Sequence, residues 1–539
     1  MFRVTFRYIL LAALAATFVF LALSLAPIGG TDYAKFAACR NEITSDCLTE
    51  LGVELAMNDQ SPPSYMHEVG MLAEMGRFED AYSLQLSIEE AKERPAENVE
   101  DSVNRRLASR RISAAIRRGE SLQSVVEQTP SVDPGVLYIS ARDLLGHSPY
   151  GQFTGLRRQP DDQTLIVASE LATMIAAMAH NEPERPRISH LVYAAELQAV
   201  LGNRAEVIQL LEQIPPTEDP ILSLSEDIMR LIGSETALRL YHNAGGSRPN
   251  ILLTAASAEP DAARAITYLD EAYDAFSTRT PWPDFTWMER TVERSAELGY
   301  YYHALQLAQD MAQKAQTEPS SFPVFPHIHA SRALLLARAD EVEVRHSLTL
   351  AESHFPKSDG EVVGIGFVSG LMRWGNSGLD AQARREMANL RARLGDVEAA
   401  IALMEDIEEP QIAWSSMLTS DISIEDLNLL LSAAKGALST EGYSLVRAQL
   451  ASEMTRTGKS EAQMSWGHAT AIEILQSEQL EGDRAVIIYT ILARVGDKLE
   501  DSAAESLALT RMAQAALNSR DYGDLISAGF HWRQSEFTP

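Results

Sequence analysis

The sequence lacks the features that assign a chemistry most directly. Two cysteines occur in 539 residues, which excludes a disulfide-rich scaffold and a cysteine-rich metal site. No Walker A motif, Gly-x-Ser-x-Gly elbow or Cys-x-x-Cys pair is present, so the simplest signatures of nucleotide, ester and thiol chemistry are missing. Segments that alternate polar and apolar residues are also missing, and the sequence therefore predicts an almost entirely helical chain.

Basic residues are scarce in comparison with acidic ones. The chain has 46 Lys and Arg against 75 Asp and Glu, which gives a formal net charge of −29. Nucleic-acid binding requires a basic surface that neutralises phosphates, so the composition argues against a nucleic-acid partner. We also expect no cofactor and no bound metal, because no motif for either is present.

Short glycine turns recur along the chain. Gly76–Ala81, Gly299–Ala304 and Gly395–Ala400 each follow one apolar-periodic segment and precede another. This pattern predicts a helix, a tight turn and a second helix. Weaker copies occur at Gly202, Gly233, Gly458 and Gly496. One helix pair cannot bury its own apolar stripe, so neighbouring pairs are expected to stack.

The best-preserved turns resemble the tetratricopeptide-repeat family, whose second helix opens with Gly, an aromatic residue two positions later and Ala five positions later. The matching sets are Gly76, Phe78 and Ala81, and Gly299, Tyr301 and Ala304. The resemblance implies an all-α fold, an α-solenoid of stacked helix hairpins in a superhelix. It also implies a concave groove, formed by the first helices, that binds a peptide or a partner helix.

The spacing of the turns is irregular. Gly299 and Gly395 lie 96 residues apart, and Gly395 and Gly458 lie 63 residues apart. These distances are near multiples of roughly 32 to 34 residues, which predicts that intermediate repeats have lost their glycine. An irregular helical bundle without a continuous superhelix is the alternative.

The N-terminus predicts export across a membrane. Arg3 and Arg7 precede an apolar run from Tyr8 to Ile28 that is long enough to span a bilayer. We expect residues 1–30 to be a signal anchor, or a signal peptide cleaved after Ser24. With the arginines on the inner side, the bulk of the chain would lie in the periplasm of a bacterial-type envelope.

Two helical-repeat regions are predicted behind this segment, residues 31–316 and residues 327–539. The stretch between them is rich in proline and turn-forming residues, which is typical of a boundary.

The two cysteines, Cys39 and Cys47, fit an oxidising compartment if they pair. A continuous helix would hold them roughly 12 Å apart, so pairing requires a turn between them. Thr44–Asp46 offers that turn, with Ser45 or Asp46 as the N-cap of the next helix. The alternatives are two free buried thiols, or a lipid anchor at Cys39.

One segment is locally basic. Its arginines are Arg105, Arg106, Arg110, Arg111, Arg117 and Arg118. On a helix, all but Arg105 fall on one face, with Leu107, Ile112 and Ile116 left for packing. This face could bind an acidic protein segment or lipid headgroups. It could equally pair with acids on adjoining helices.

Aromatic residues concentrate in one short segment, which contains Trp282, Phe285 and Trp287 around two prolines. Exposed aromatic side chains are effective anchors for a partner protein. The same residues could instead fill the junction between two helix layers.

We therefore expect a non-enzymatic, protein-binding scaffold of the cell envelope. The first alternative is an envelope enzyme of helical-toroid type, with His327, His329 and Glu352 in a central cavity. The second is a module that binds anionic headgroups through the Arg105–Arg118 face. Oligomeric state and partner identity are left open by the sequence.

Overall fold

The structure is a computed structural model. It describes residues 32–58, 66–91, 96–146, 161–214, 224–243, 249–279, 283–318, 323–354, 373–405, 407, 410–456, 459–477, 480 and 484–536. These residues form 27 helices and no strand. No helix among them is long and apolar enough to cross a bilayer. The predicted signal segment, residues 1–30, lies outside the described residues.

Two compact units divide the chain, and unit 1 combines its two ends, Met1–Arg94 and Ala471–Pro539. The helices of unit 1 are α1 (Asp32–Asn41), α2 (Ser45–Asn58), α3 (Met66–Glu74), α4 (Phe78–Ala91), α25 (Ala485–Lys498), α26 (Ser502–Ser519) and α27 (Tyr522–Glu536). Helix α24 (Glu461–Ser477) crosses the division between the two units.

Unit 2 covers Pro95–Thr470. Its first half contains α5 (Ala96–Arg117), α6 (Leu122–Gln128), α7 (Pro134–Leu144), α8 (Asp162–Ala179), α9 (Glu184–Val200), α10 (Arg204–Glu212), α11 (Glu226–Ile232), α12 (Ser234–Asn243), α13 (Asn250–Ala258) and α14 (Ala262–Ser277). Its second half contains α15 (Phe285–Glu297), α16 (Tyr301–Thr317), α17 (Val324–Leu336), α18 (Glu341–Ser353), α19 (Arg373–Arg393), α20 (Val397–Met404), α21 (Pro410–Met417), α22 (Ile424–Ala437) and α23 (Thr440–Met454). The predicted boundary, residues 317–326, runs from the last residue of α16 into the first turn of α17, inside this unit.

The helices of unit 2 stack as consecutive hairpins. From α5 to α20, each odd-numbered helix contacts the helix that follows it. Each odd-numbered helix from α5 to α23 also contacts the next odd-numbered one, so these helices form one row, the first-helix row. The chain is thus a helical repeat protein of the α-solenoid type, in which each hairpin covers the apolar face of its neighbours.

Left-handed residues make the hairpin turns, as the glycine pattern predicts. Gly76, Gly299 and Gly395 have φ of 80°, 84° and 76°. After Gly299, the Tyr300 amide donates to the carbonyl of Ser295 at 2.9 Å, which is the six-residue closure of a Schellman motif. The alanines five positions after these glycines, Ala81, Ala304 and Ala400, are fully buried.

One intermediate repeat has indeed lost its glycine. Arg338, between α17 and α18, has φ of 58°, and the Ala339 amide closes the turn on the carbonyl of Leu334 at 2.9 Å. This turn lies between those of Gly299 and Gly395, so it accounts for part of the long gap between them.

The turn predicted at Gly496 was wrong. Gly496 lies inside α25, and the left-handed residue is Glu500, with φ of 55°. A Cβ on Gly496 would lie 2.7 Å from the backbone nitrogen of Glu505 in α26. Glycine is therefore needed here for close helix packing rather than for a turn. The turn predicted at Gly458 lies outside the described residues.

Unit 1 packs the two ends of the chain together. Helix α2 contacts α27, and the Ser45 hydroxyl donates to the carbonyl of Gly529 at 2.8 Å. Gly52 faces α27 in the same seam, where an added Cβ would lie 2.7 Å from Ile526 Cγ1. Glycines on both helices thus allow the two backbones to approach closely.

The predicted disulfide is present. Cys39 and Cys47 are bonded, with their Cα atoms 5.7 Å apart. The turn between α1 and α2 makes this possible, but the capping residue differs from the prediction. The Thr44 hydroxyl accepts from the Cys47 amide at 3.1 Å, whereas Ser45 begins the helix and bonds to α27.

Candidate functional site

A polar network crosses three neighbouring helices of the first-helix row, α15, α17 and α19. His329 and Arg332 are three residues apart on α17 and therefore share one helix face. His329 Nδ1 donates to Glu289 Oε2 of α15 at 2.5 Å, and Arg332 donates to Glu289 Oε1 at 3.1 Å. In the other direction, Arg332 donates to Glu386 Oε2 of α19 at 2.8 Å. One arginine thus joins carboxylates from two other repeats.

Burial and charge act against each other at this network. Burial tends to raise the pKa of Glu289, but hydrogen bonds and charge from His329 and Arg332 outweigh it, and the pKa falls below its usual value. Burial tends to lower the pKa of Arg332, but Glu289 and Glu386 raise it. The Arg332 side chain is 26% exposed and that of Glu386 is 22% exposed, so the network reaches solvent.

The same face of α19 continues beyond Glu386. Asn389 donates to the carbonyl of Met417 at 2.7 Å and to the Thr419 hydroxyl at 3.2 Å. Arg393 comes four residues later, and the nearest carboxylate oxygen within the described ranges is Asp421 Oδ2, at 3.8 Å. Burial lowers the pKa of Arg393, Asp421 partly opposes this, and the positive charge of Arg332 lowers it further.

A second charged cluster occupies the opposite side of the α19–α20 hairpin. Arg391 donates to both oxygens of Glu352, at 2.9 and 2.8 Å, and to Asp396 at 3.0 Å. Arg345 of α18 also pairs with Asp396 and with Glu341. Hydrogen bonds to their acidic partners raise the pKa of both arginines.

The residues of the predicted enzyme alternative do not converge. His329 faces Glu289, whereas His327, two positions away, faces α18 and stacks on His354 with ring centroids 5.2 Å apart. Glu352 is bound to Arg391. Within the described ranges, no group of three or more His, Cys, Asp and Glu side chains could hold a metal ion.

His327 is chemically unusual among these histidines. It is 2% exposed, and its Nδ1 atom has no hydrogen-bond partner among the residues that the structure describes. Burial, with smaller contributions from His354 and His346, lowers the pKa of His327 to about 4. The ring is therefore neutral at physiological pH and fills the α17–α18 contact as an apolar group would.

The predicted basic face lies on α5, and its packing side is as expected, because Leu107, Ile112 and Ile116 are buried. Arg117 donates to Asp143 Oδ2 of α7 at 2.9 Å, and Arg118 donates to Glu120 at 2.7 Å. Arg110 and Arg111 are half-buried. The side chains of Arg105 and Arg106 lie outside the described part of the chain. Both arginines at the end of the face therefore have acidic partners within the protein.

The predicted aromatic cluster divides between core and surface. Phe285 is buried, while Trp287 is 38% exposed and stacks on Phe276 of α14 with centroids 5.4 Å apart. The Asp284 carboxylate caps α15 by accepting from the Trp287 amide at 3.4 Å. Trp282 lies outside the described residues.

A further constellation, Asp270, His303 and Ser295, has no counterpart in the sequence predictions. His303 Nε2 donates to Asp270 at 2.9 Å, and His303 Nδ1 lies 2.8 Å from the Ser295 hydroxyl. These residue types also form hydrolytic triads, but Ser295 is fully buried, so no substrate reaches its hydroxyl in this arrangement. The group joins α14, α15 and α16. The sequence did contain a signal for half of it, because Ser295 and His303 flank Gly299 symmetrically and the turn brings them together.

Comparisons with known proteins add little. No family model matches the chain, and no curated protein matches it. A solved structure described as "Circular tandem repeat protein with novel repeat topology and enhanced subunit contact surfaces" is 15% identical over 92% of this chain and 96% of its own, with a TM-score of 0.14. At that TM-score the likeness carries no argument about this chain.

Proposed function

We propose that this protein is a protein-binding scaffold and that it recognises a peptide or partner helix along the first-helix row. Repeat proteins bind extended partners because each repeat adds a few side chains to one continuous surface. The observation that carries the proposal is the polar network across α15, α17 and α19, where three successive repeats contribute charged side chains to one face and Arg332 and Glu386 reach solvent.

Trp287 supports a contact at the start of α15. A half-exposed indole offers a large contact area at low entropic cost, and its stacking on Phe276 holds the ring in place before a partner binds. Of the two predicted aromatic residues that the structure describes, Trp287 is therefore the better anchor, because Phe285 is buried.

The proposed repeat family and cellular location are based on the sequence. We propose a tetratricopeptide-like array of the bacterial cell envelope, held at the inner membrane by residues 1–30 or released into the periplasm after cleavage. The disulfide between Cys39 and Cys47 fits an oxidising compartment.

Photo-crosslinking in cells tests the scaffold function. A photoreactive residue at Gln382, exposed on α19 and hydrogen-bonded to Glu386, reports on the first-helix row. The matched control is Thr349, exposed on α18 in the other row. We expect a defined protein adduct from position 382 that is absent from position 349.

The same pair of variants, repeated without residues 1–30, tests localisation. Loss of the adduct in the shortened chain would support delivery across the membrane. Equal adducts from both positions, or none from position 382 under any growth condition, would contradict partner recognition by the first-helix row.

A further inference from the structure

Arg393 differs from the other partly buried arginines around it. Arg332, Arg345 and Arg391 each donate hydrogen bonds to carboxylates from two residues. The Arg393 side chain is 18% exposed, and its guanidinium makes no hydrogen bond to any residue that the structure describes. Among the described residues its single acidic neighbour is Asp421, whose Oδ2 atom lies 3.8 Å away and whose side chain is 58% exposed.

The described residues therefore leave hydrogen-bond donors of Arg393 unused. A guanidinium carries five N–H donors, and burying its charge without hydrogen-bonded compensation is unfavourable. Burial lowers the pKa of Arg393, and the positive charge of Arg332 on the neighbouring helix lowers it further. Because the side chain still reaches solvent, an anion from outside can approach its free donors.

We propose that Arg393 is an anion-binding site of the first-helix row and that its ligand is a carboxylate side chain, Asp or Glu, of the bound partner segment. The planar guanidinium fork matches a carboxylate in a bidentate arrangement. That the carboxylate comes from a bound partner segment rests on the proposed scaffold function. That Arg393 binds a carboxylate does not depend on that function.

A carboxylate fits the surroundings better than a phosphate does. Asp421 stands beside Arg393, and Glu386 lies on the same face of α19, two turns earlier. With Glu289 they offset the positive charges of Arg393 and Arg332, so a phosphate dianion gains no net attraction from its second charge, and binding depends on the bidentate hydrogen bonds that the guanidinium donates. The net charge of −29 acts in the same direction at longer range.

The test uses the purified full chain with 15N-labelled arginine at low ionic strength. N-acetylglutamate amide, whose only charge is its side-chain carboxylate, is titrated while the Arg393 Nε–H resonance is followed by NMR. N-acetylglutamine amide is the neutral control, and inorganic phosphate is the competing anion. We expect a saturable shift with the first probe, weaker binding of phosphate and no shift with the neutral probe.

Three variants and one control variant sharpen the test. R393Q, read through the remaining arginine resonances, should abolish the saturable shifts, and R393K should weaken binding because the fork is lost. D421N should tighten binding roughly fivefold, since it removes a competing charge about 4 Å away. R391Q is the matched control, since Arg391 is already bound to Glu352 and Asp396, and it should leave the Arg393 titration unchanged.

Either of two results would overturn the site: phosphate binding at least as tightly as the glutamate probe, or D421N leaving affinity unchanged. The D421N result stays informative even if R393Q does not fold. Partner crosslinking from position 382 is independent of this titration, so the scaffold function and the anion site can fail separately.

Discussion

Gly529 of α27 sits against Thr49 of α2 so closely that a Cβ on Gly529 would lie 2.3 Å from the Thr49 hydroxyl oxygen and 2.9 Å from the carbonyl of Ser45. The obstacle includes backbone, which cannot rotate away. The Ser45 and Thr49 side chains are themselves fixed, because Thr49 donates to the Ser45 carbonyl at 2.8 Å and Ser45 donates to the Gly529 carbonyl.

Gly529→Ala should therefore weaken unit 1. Overpacking a tight contact costs about 1 to 3 kcal/mol, which exceeds the gain of about 1 kcal/mol from better helix propensity. Gly436→Ala on α22 is the control, because an added Cβ there meets nothing within 4 Å. Differential scanning calorimetry should show a lower Tm for the Gly529 variant only; equal Tm values would mean that the seam is looser than described.

Reduction of the Cys39–Cys47 bond should also destabilise unit 1. Closing a short loop of this kind stabilises a fold by about 2.5 kcal/mol in the loop-entropy model. We expect a reductant to lower the Tm of the wild type but not of a variant with Cys39→Ser and Cys47→Ser. Limited proteolysis shows which unit is destabilised, and we expect faster cleavage in unit 1. Faster cleavage only within Pro95–Thr470 would contradict the prediction.

Glu289→Gln should destabilise unit 2 by about 1 to 3 kcal/mol, because His329 and Arg332 lose a charged partner while Arg332 keeps Glu386. Glu293→Gln, in an exposed pair with Arg290, should cost less than about 0.5 kcal/mol. Urea unfolding compares the two, and equal costs would show that the network contributes no more than a surface ion pair.

The Glu289 effect should depend on pH in a defined direction. Its pKa is lowered in the fold, so its contribution is complete above the unfolded value of about 4.3 and disappears as the pH falls through the lower folded value. The difference between the wild type and Glu289→Gln should therefore shrink in acid. A difference that grows below pH 4 would contradict the sign.

His327→Phe should protect the protein against mild acid. The folded pKa of about 4 lies below the ordinary value of 6.5, so between these values the unfolded chain binds a proton that the folded chain does not. Wild type should lose roughly 2 kcal/mol from this group between pH 7.5 and 5, and the variant should not. His180→Phe, at an exposed histidine, is the control. Profiles of stability against pH that run parallel for the wild type and His327→Phe would contradict the prediction.

Local features of the fold could be predicted from the sequence, and long-range ones could not. The turns at Gly76, Gly299 and Gly395 require a positive φ, and glycine is the residue that adopts this conformation most readily, so the sequence indicates these turns directly. The prediction of a turn at Gly496 was wrong because a glycine can serve either a left-handed turn or close helix packing, and the sequence alone does not distinguish these two roles.

The polar network of the candidate site could not be predicted from the sequence for a related reason. Arg332 joins Glu289 and Glu386, which lie 43 and 54 residues away, and nothing in the helical periodicity indicates which charges meet. The enzyme alternative placed His327 and His329 in one cavity, but on a helix these two residues point about 200° apart and therefore contact different neighbours. Periodicity predicts which residues are buried, while the stacking of repeats decides what they contact.

The seam between α2 and α27 also sets the order in which the chain can fold. The hydrogen bond from Ser45 to Gly529 joins residues 484 positions apart. At a synthesis rate of about 5 to 20 residues per second, the first hairpins emerge some tens of seconds before their partner helix exists. During that interval one face of α2 has no native surface to cover it. Unit 1 is therefore completed last although it contains the earliest helices, and any factor that holds the nascent chain would act on that face.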